Sequence, residues 1–459
     1  MIAINLRYHY IVKAATLTRG LEQRFTALWE RTDRLFALIA PDAMLERPIA
    51  LRHPFIFYVG HLPAFAWNHV CRGLLRRPSF NARFDEMFDR GIDPDVDDPA
   101  KIHAHPEVPD EWPTLRDVLA YQVDVRAGIL ASLDEVLDAP LANVMAENGR
   151  ALLMALEHEQ MHQETLLYML QQLPLSRLVR PALGPIYARG DALRARAIDV
   201  DEGRATLGAG FDDLDFGWDN EFSRTTFHVP AFRIDSTPVT NGEFLDFVSS
   251  GAYERPALWA DGDWSWKGHA GLHHPTFWMF RDGEWLYRAL LDELSLASVR
   301  DWPVYVSLAE ARAYARWRGS RLPTEAEFDR AAYGEPGGGE RAFPWGDDEP
   351  TPQHGNFHFS HWSPVPVGSH PAGASAWGVH ELVGNGWEWT ESAFAPLPGF
   401  EAYIPSYPGY SADFFDAKHY VLKGASWATD TQLIRRSFRN WYQARYPYVF
   451  AKFRCVRSS

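Results

Sequence analysis

Only two cysteines, Cys71 and Cys455, occur in 459 residues. That scarcity excludes a disulfide scaffold and a cysteine-rich zinc site, and it fits a reducing compartment. Positive charge is also short: 45 Lys and Arg stand against 60 Asp and Glu, a formal net charge of −15. A chain this acidic repels phosphate backbones, so nucleic acid is not an expected partner. No apolar run reaches the roughly 18 residues a membrane-spanning helix needs. The opening stretch is apolar at Ile2, Ala3 and Ile4, but Arg7 and Lys13 break it, so it does not read as a signal peptide. The expectation is a soluble, cytoplasmic protein with no membrane partner.

What is plentiful is aromatic surface: 18 Trp, 18 Tyr and 28 Phe. Most of it must build a core, but it also offers pockets with aromatic walls, suited to a cation. Hydrophobic residues at 46% and charged residues at 23% are ordinary for a globular chain, and the length allows two or three domains.

From about residue 15 to 175 the apolar spacing is helical. Leu21, Phe25, Leu28, Leu35 and Phe36 predict a helix over 21–38, and a second is expected over 55–75, with His61 inside it. An acidic loop, 85–98, and a Pro-rich loop, 103–113, lead to a third helix with Thr114 as N-cap, ending near 137. The fourth spans about 141–173. Four long helices suggest an antiparallel bundle, a frame that builds metal sites from facing helices. Residues 174–196 read as a linker. Beyond Asp201, Gly, Pro, Trp and short apolar runs dominate. Helices are expected over 308–318 and from Thr324, where Glu327 completes a capping box, and short strands at 227–234, 303–306 and 419–422. The fold class is thus α plus α+β, a four-helix bundle over 1–190 followed by a mixed domain over 200–459.

The fourth helix carries Ala155-Leu-Glu-His-Glu-Gln-Met-His-Gln-Glu-Thr-Leu-Leu167. His158 and His162 are four residues apart, so they share one helix face and can reach one metal ion. The same residues spell His-Glu-x-x-His, the zinc-protease motif, with Glu159 as the base. On these residues alone three readings stand: two surface histidines, a zinc hydrolase, or another metal with a third ligand elsewhere.

Six motifs occupy the second half: Arg321-Leu-Pro-Thr-Glu-Ala-Glu-Phe328, Phe343-Pro-Trp-Gly346, Gly378-Val-His-Glu-Leu-Val-Gly-Asn-Gly-Trp-Glu-Trp-Thr390, Leu422-Lys-Gly-Ala-Ser-Trp427, Arg435-Arg-Ser-Phe-Arg-Asn-Trp441 and Phe453-Arg-Cys-Val456. In this order they closely resemble the formylglycine-generating-enzyme domain, a C-type-lectin-like fold. Those enzymes hold copper with a cysteine pair, whereas this half has only Cys455. A non-catalytic binding protein on the same fold is a further reading. In the first half, Gly60-His61 and His158-Glu-Gln-Met-His162-Gln-Glu resemble the DinB-like bundle of the ergothioneine-type sulfoxide synthases. The pairing of the two halves is specific to that superfamily. The resemblance implies that His61, His158 and His162 hold a non-heme ferrous iron, Fe(2+), which works with O2, and that Glu159 is an incidental match. It implies hercynine, N-trimethylated histidine, as substrate, with Asn440 and Trp441 binding it. Aromatic walls suit that permanent cation, and Trp387, Trp389, Trp427 and Trp441 are the supply nearby. It also implies a tyrosine acid in the loop after Trp387-Glu-Trp-Thr390, with Tyr403 the best positional match and Tyr407 second.

The departures from the family concern the donor. Relatives that use γ-glutamylcysteine carry an acidic residue and then arginines after the Asn-Trp pair. Here the run is Tyr442-Gln-Ala-Arg445-Tyr446-Pro447, and an acidic run stands where the bundle's basic segment would be. Tyr and Gln suit a hydroxyl-rich donor. The resemblance is therefore closest to the selenoneine synthases, which join hercynine to a selenosugar. A thiol donor, γ-glutamylcysteine or cysteine, is the alternative.

Overall fold

The computed structural model describes residues 2–89, 109, 111–140, 143–182 and 184–458, with side chains from Leu17 onward. Two compact units divide them. One comprises Met1–Pro181 with Leu214–Gly217 and Tyr403–Pro408; the other comprises Ala182–Asp213, Trp218–Ala402 and Gly409–Ser459.

In the first unit the long helices are α1 (Ile2–Phe36), α2 (Phe55–Ala66), α4 (Leu115–Leu130) and α6 (Arg150–Gln172), with short α3 (Ala82–Met87) and α5 (Leu133–Leu137) between them. α1 packs on α6, and α2 packs on both α4 and α6. Helical spacing sets the buried stripes: Leu21, Phe25, Leu28 and Leu35 on α1, and Val118, Tyr121, Val125 and Ile129 on α4. A Cβ on Gly128 of α4 would stand 2.8 Å from the Trp67 ring, so the missing side chain is the notch that seats the indole. Thr114 caps α4 through the Asp117 N–H, at 3.2 Å.

Several elements differ from the sequence expectation: α1 runs from Ile2 to Phe36 and not over 21–38, and the helix expected to end near 137 stops at Leu130, with α5 following it. α2 does not end as an α-helix: residues Trp67–Leu74 continue it as a π-helix. α6 starts at Arg150, nine residues later than about 141, because Asn148 (φ 54°) and Gly149 (φ 68°) are left-handed and cannot extend a helix. The acidic stretch opens as α3, where buried Asp85 accepts from the Tyr121 hydroxyl at 2.8 Å. Residues 90–98, and most of the Pro-rich stretch 103–113, lie outside the described residues. The expected linker is folded at its start: Arg177 pairs with Asp42 and Glu46.

The second unit carries α7 (Asn241–Ser249), α8 (Asp261–His269), α9 (Leu308–Trp317) and α10 (Glu325–Tyr333). Capping boxes start α9 at Ser307/Glu310 and α10 at Thr324/Glu327. The strands are short. Antiparallel β1 (Ala197–Val200), β4 (Phe232–Asp235) and β12 (Val456–Ser458) form one sheet, and β2 (Gly203–Leu207) pairs with β3 (Thr225–Val229). A further sheet joins β5 (Trp278–Arg281), β6 (Glu284–Arg288) and β7 (Glu293–Ser295). The last has the order β10-β9-β8-β11, with β8 (Gly386–Ala393), β9 (His419–Ala425), β10 (Asn440–Gln443) and β11 (Ala451–Lys452). The single strand expected over 227–234 is two, β3 and β4, interrupted at Pro230, which has no N–H to give a ladder. Residues 303–306 form no strand; Pro303 makes one isolated bridge to Thr240.

The shared motifs supply this unit's buried polar frame. Glu388 takes two bonds from Arg454, at 2.5 and 2.9 Å, with both side chains fully buried. Glu325 takes two from Arg439, at 2.9 and 3.1 Å, and Lys423 reaches Asp329 at 3.3 Å. Pairs this deep are costly to break from one side, at about 3–5 kcal/mol.

Candidate metal centre

Gly60 and His61 sit in the middle of α2, where every residue from Phe55 to Ala66 is buried. A Cβ on Gly60 would lie 2.4 Å from the Phe88 ring, so glycine is what lets Phe88 close on the helix. That approach brings the Phe88 carbonyl to His61, whose Nδ1–H donates to it at 2.8 Å. The bond fixes the tautomer and leaves the Nε2 lone pair facing inward.

His158 and His162 project from α6 toward the same place. His61 Nε2 and His162 Nε2 are 3.2 Å apart. One nitrogen from each of the three histidines falls within 4.8 Å of the other two. Burial lowers all three, His61 to about 4 and His158 and His162 well below the usual imidazole value, so each is a neutral ring with a lone pair to give. A His61–His162 hydrogen bond alone would leave His158 unexplained, whereas a shared first-row metal ion accounts for all three rings converging. Phe57 stacks on His61 (5.0 Å, 17°), Phe65 lies flat on His158 (3.5 Å, 3°), and Tyr58 stands 5.6 Å from His162. These rings hold the imidazoles in place and keep water from their backs.

Glu159 is directed elsewhere. It is buried and accepts from Thr32 of α1 at 2.6 Å, while Gln163, one turn on, bonds to Thr32 and to the Leu28 carbonyl. α6 thus gives its histidine face to α2 and its Glu159 face to α1.

Tyr403 and Tyr407 lie in the segment that groups with the helical unit. The Tyr403 hydroxyl donates to the Gly217 carbonyl. Tyr407 instead lays its ring 6.2 Å from Phe65 and 5.6 Å from His69. His69 is a buried histidine that sequence reasoning passed over, although it sits eight residues beyond His61 with Phe65 halfway between.

The remaining expected residues belong to the other unit. Asn440, Trp441 and Tyr442 are on β10, and Arg445 and Tyr446 follow it. Trp441 is half-buried and stacks on Phe394 at 4.4 Å and 6°. Tyr442 stacks on buried Tyr446 at 5.4 Å, and Arg445 Nε donates to Asp263 at 3.0 Å. The supply of exposed tryptophan is smaller than expected: Trp387, Trp389 and Trp427 are buried core residues, leaving Trp441 of the four.

Comparison with known proteins agrees with this division. Residues 24–166 match the family model of the DinB superfamily, and residues 190–459 match the sulfatase-modifying factor enzyme 1-like domain. The chain is 32% identical to the ergothioneine biosynthesis protein 1 of Neurospora crassa, over 94% of this chain and 57% of that one. It is 37% identical to the hercynine oxygenase of Mycobacterium tuberculosis, over 69% of this chain and 73% of that one. A second fungal ergothioneine biosynthesis protein 1, from Schizosaccharomyces pombe, is 30% identical over 92% of this chain. This chain spans little more than half of either fungal relative, 57% and 54%. With a DinB-like helical region joined to a sulfatase-modifying-factor-like domain, the chain belongs to the ergothioneine-type sulfoxide synthase superfamily.

Proposed function

We propose that this chain is a non-heme iron enzyme that uses O2 to form a carbon–selenium or carbon–sulfur bond on the imidazole ring of hercynine. The observation that carries the reading is the three-histidine centre, with His61 and His158 buried and His162 partly so, in a chain of this superfamily. Ferrous iron held by His61, His158 and His162 supplies open coordination positions and O2 activation, chemistry no side chain provides alone. The chain's own groups do the rest. Phe88 orients His61, and Phe57 and Phe65 keep water from the rings. Trp441 offers an aromatic face to the trimethylammonium group, beside Asn440. For the proton donor, Tyr407 replaces Tyr403. The Tyr403 hydroxyl is engaged by Gly217, whereas Tyr407 stands against Phe65, the ring that backs His158. A hydrolytic role is disfavoured, because Glu159 faces Thr32 and not the histidines.

For the donor we infer a selenosugar. Arg445, the one cation in the run after Trp441, is paired with Asp263 and lies so close over Gly262 that a Cβ there would meet its Nη2 at 2.1 Å. The run offers tyrosine hydroxyls and an amide, the chemistry that suits a polyol, and γ-glutamylcysteine would bring two carboxylates with no free arginine in this run to meet them. Sulfoxide synthesis with γ-glutamylcysteine or cysteine is the second reading, supported by relatives named for ergothioneine biosynthesis. A donor competition decides: iron-loaded protein, hercynine and O2 with selenosugar, thiosugar, γ-glutamylcysteine and cysteine, products read by mass spectrometry. The sugar should exceed γ-glutamylcysteine in kcat/KM by at least roughly tenfold, the low end of what one missing charge-assisted bond costs. A preference for γ-glutamylcysteine would establish the second reading.

A further inference from the structure

His69 has no place in the chemistry above, yet it is buried and its Nδ1 is hydrogen-bonded. It lies in the π-helical stretch Trp67–Leu74, where bonds run five residues back; the Leu75 N–H, for example, donates to the Val70 carbonyl at 3.2 Å. In an α-helix, successive i, i+4 steps drift around the axis. The wider turn offsets the drift and keeps His69 on the face of His61 and Phe65, with its ring 4.1 Å from Phe65.

On its other side His69 meets a segment more than three hundred residues away. Its Nδ1 and the Ser406 Oγ share a hydrogen bond of 2.7 Å, and its ring lies 5.6 Å from Tyr407 at 31°. Gly73 makes room, since a Cβ there would already touch the Ser406 Cβ at 3.3 Å. A turn bond from the Tyr407 N–H to the Ile404 carbonyl, 3.0 Å, stiffens the segment. His158, Phe65, His69 and Tyr407 thus form a continuous series of ring contacts. Beyond His69 lies an open cavity of about 400 Å³, lined by Asn68, His69, Arg72 and Ser406 among others.

We propose that His69 is a positioning residue: through Ser406 and its own ring it holds Tyr407 on the Phe65–His158 side of the metal centre. The inference rests on the proposed function for what Tyr407 does, but not for where His69 holds it. The test compares His69→Ala, His69→Asn and Ser406→Ala, each with 3-fluorotyrosine placed at position 407. Asn puts an amide near the position of Nδ1 and can restore the Ser406 bond. In the parent protein the ¹⁹F resonance should be displaced from that of free 3-fluorotyrosine by the flanking rings, and in His69→Ala it should move toward the free value. Iron content should be unchanged in all three, since the triad is untouched. With hercynine, kcat should fall roughly 10- to 100-fold in His69→Ala while KM stays within about twofold, and His69→Asn should recover part of the loss. If His69→Ala does not fold, Ser406→Ala, which removes only the hydroxyl, carries the same readouts. An unshifted resonance in the folded variants would overturn the proposal. So would a kcat loss in His69→Ala that Asn does not recover. If the parent protein turns over no hercynine, the functional reading fails, and the resonance still decides the role of His69.

Discussion

Gly60 shows how a single hydrogen atom can set a metal site. Alanine there must displace the Phe88 ring, and with it the carbonyl that orients His61. Gly60→Ala should therefore weaken iron binding by roughly 10- to 100-fold, the range for losing an outer-shell partner, without touching a ligand. An anaerobic ferrous titration of the folded variant checks this, and unchanged affinity would count against the Phe88 argument. Glu159→Gln should leave iron content intact, because the side chain serves Thr32; loss of metal would show that it serves the centre instead. Trp441→Ala should raise the hercynine KM by up to roughly 30-fold, for a cation–π contact of about 2 kcal/mol. Asp219 in the other unit gives a pH test. Burial raises its carboxyl from 3.8 to about 6, against the pull of the Ser411 hydroxyl. A carboxyl with a raised folded pKa adds stability that is complete below the unfolded value and is lost as pH rises through the folded one. Unfolding free energy measured at pH 4 and pH 7 should thus converge in Asp219→Asn relative to the parent, by about 2–3 kcal/mol. An unchanged difference between the two pH values would remove the assignment.

At the scale of elements, the sequence made the helices of the bundle legible because their apolar residues recur at the helical period and because Thr114 and Thr324 are caps with the right neighbours. What it hid had local causes. The left-handed pair Asn148-Gly149 ended one pattern, and Pro230 cut a strand in two. The π-helical turn carries no compositional mark, so His69 could be placed on the metal-facing side only from coordinates. The candidate ligands His158 and His162 were visible from i, i+4 spacing alone; His61 needed the family resemblance. Tyr403 and Tyr407 are four residues apart in an irregular loop, and nothing in their spacing says which turns toward Phe65. The six motifs were also legible, but several of their charged residues turn out to hold the fold. Arg454→Met, which strands Glu388 in the core, should cost about 3–5 kcal/mol of unfolding free energy while leaving the helical unit's metal content unchanged.

For the molecule as a whole, the centre draws its histidines from two helices that meet only in the folded bundle, so metal should stabilise the fold by mass action. At free ferrous ion about 100 times its Kd the gain is about 2.7 kcal/mol, and the triad variants should not show it. The measurement that tests the account most directly combines metal content with O2 consumption. Protein reconstituted anaerobically with ferrous iron, or with zinc, is mixed with hercynine, the donors above and O2, in parallel with His158→Ala. The account predicts about one iron per chain in the parent, O2 uptake and a hercynine–donor adduct only with iron and hercynine together, and neither iron nor adduct in His158→Ala. Full iron content in His158→Ala, or the same adduct from the zinc-loaded protein without O2 uptake, would contradict it.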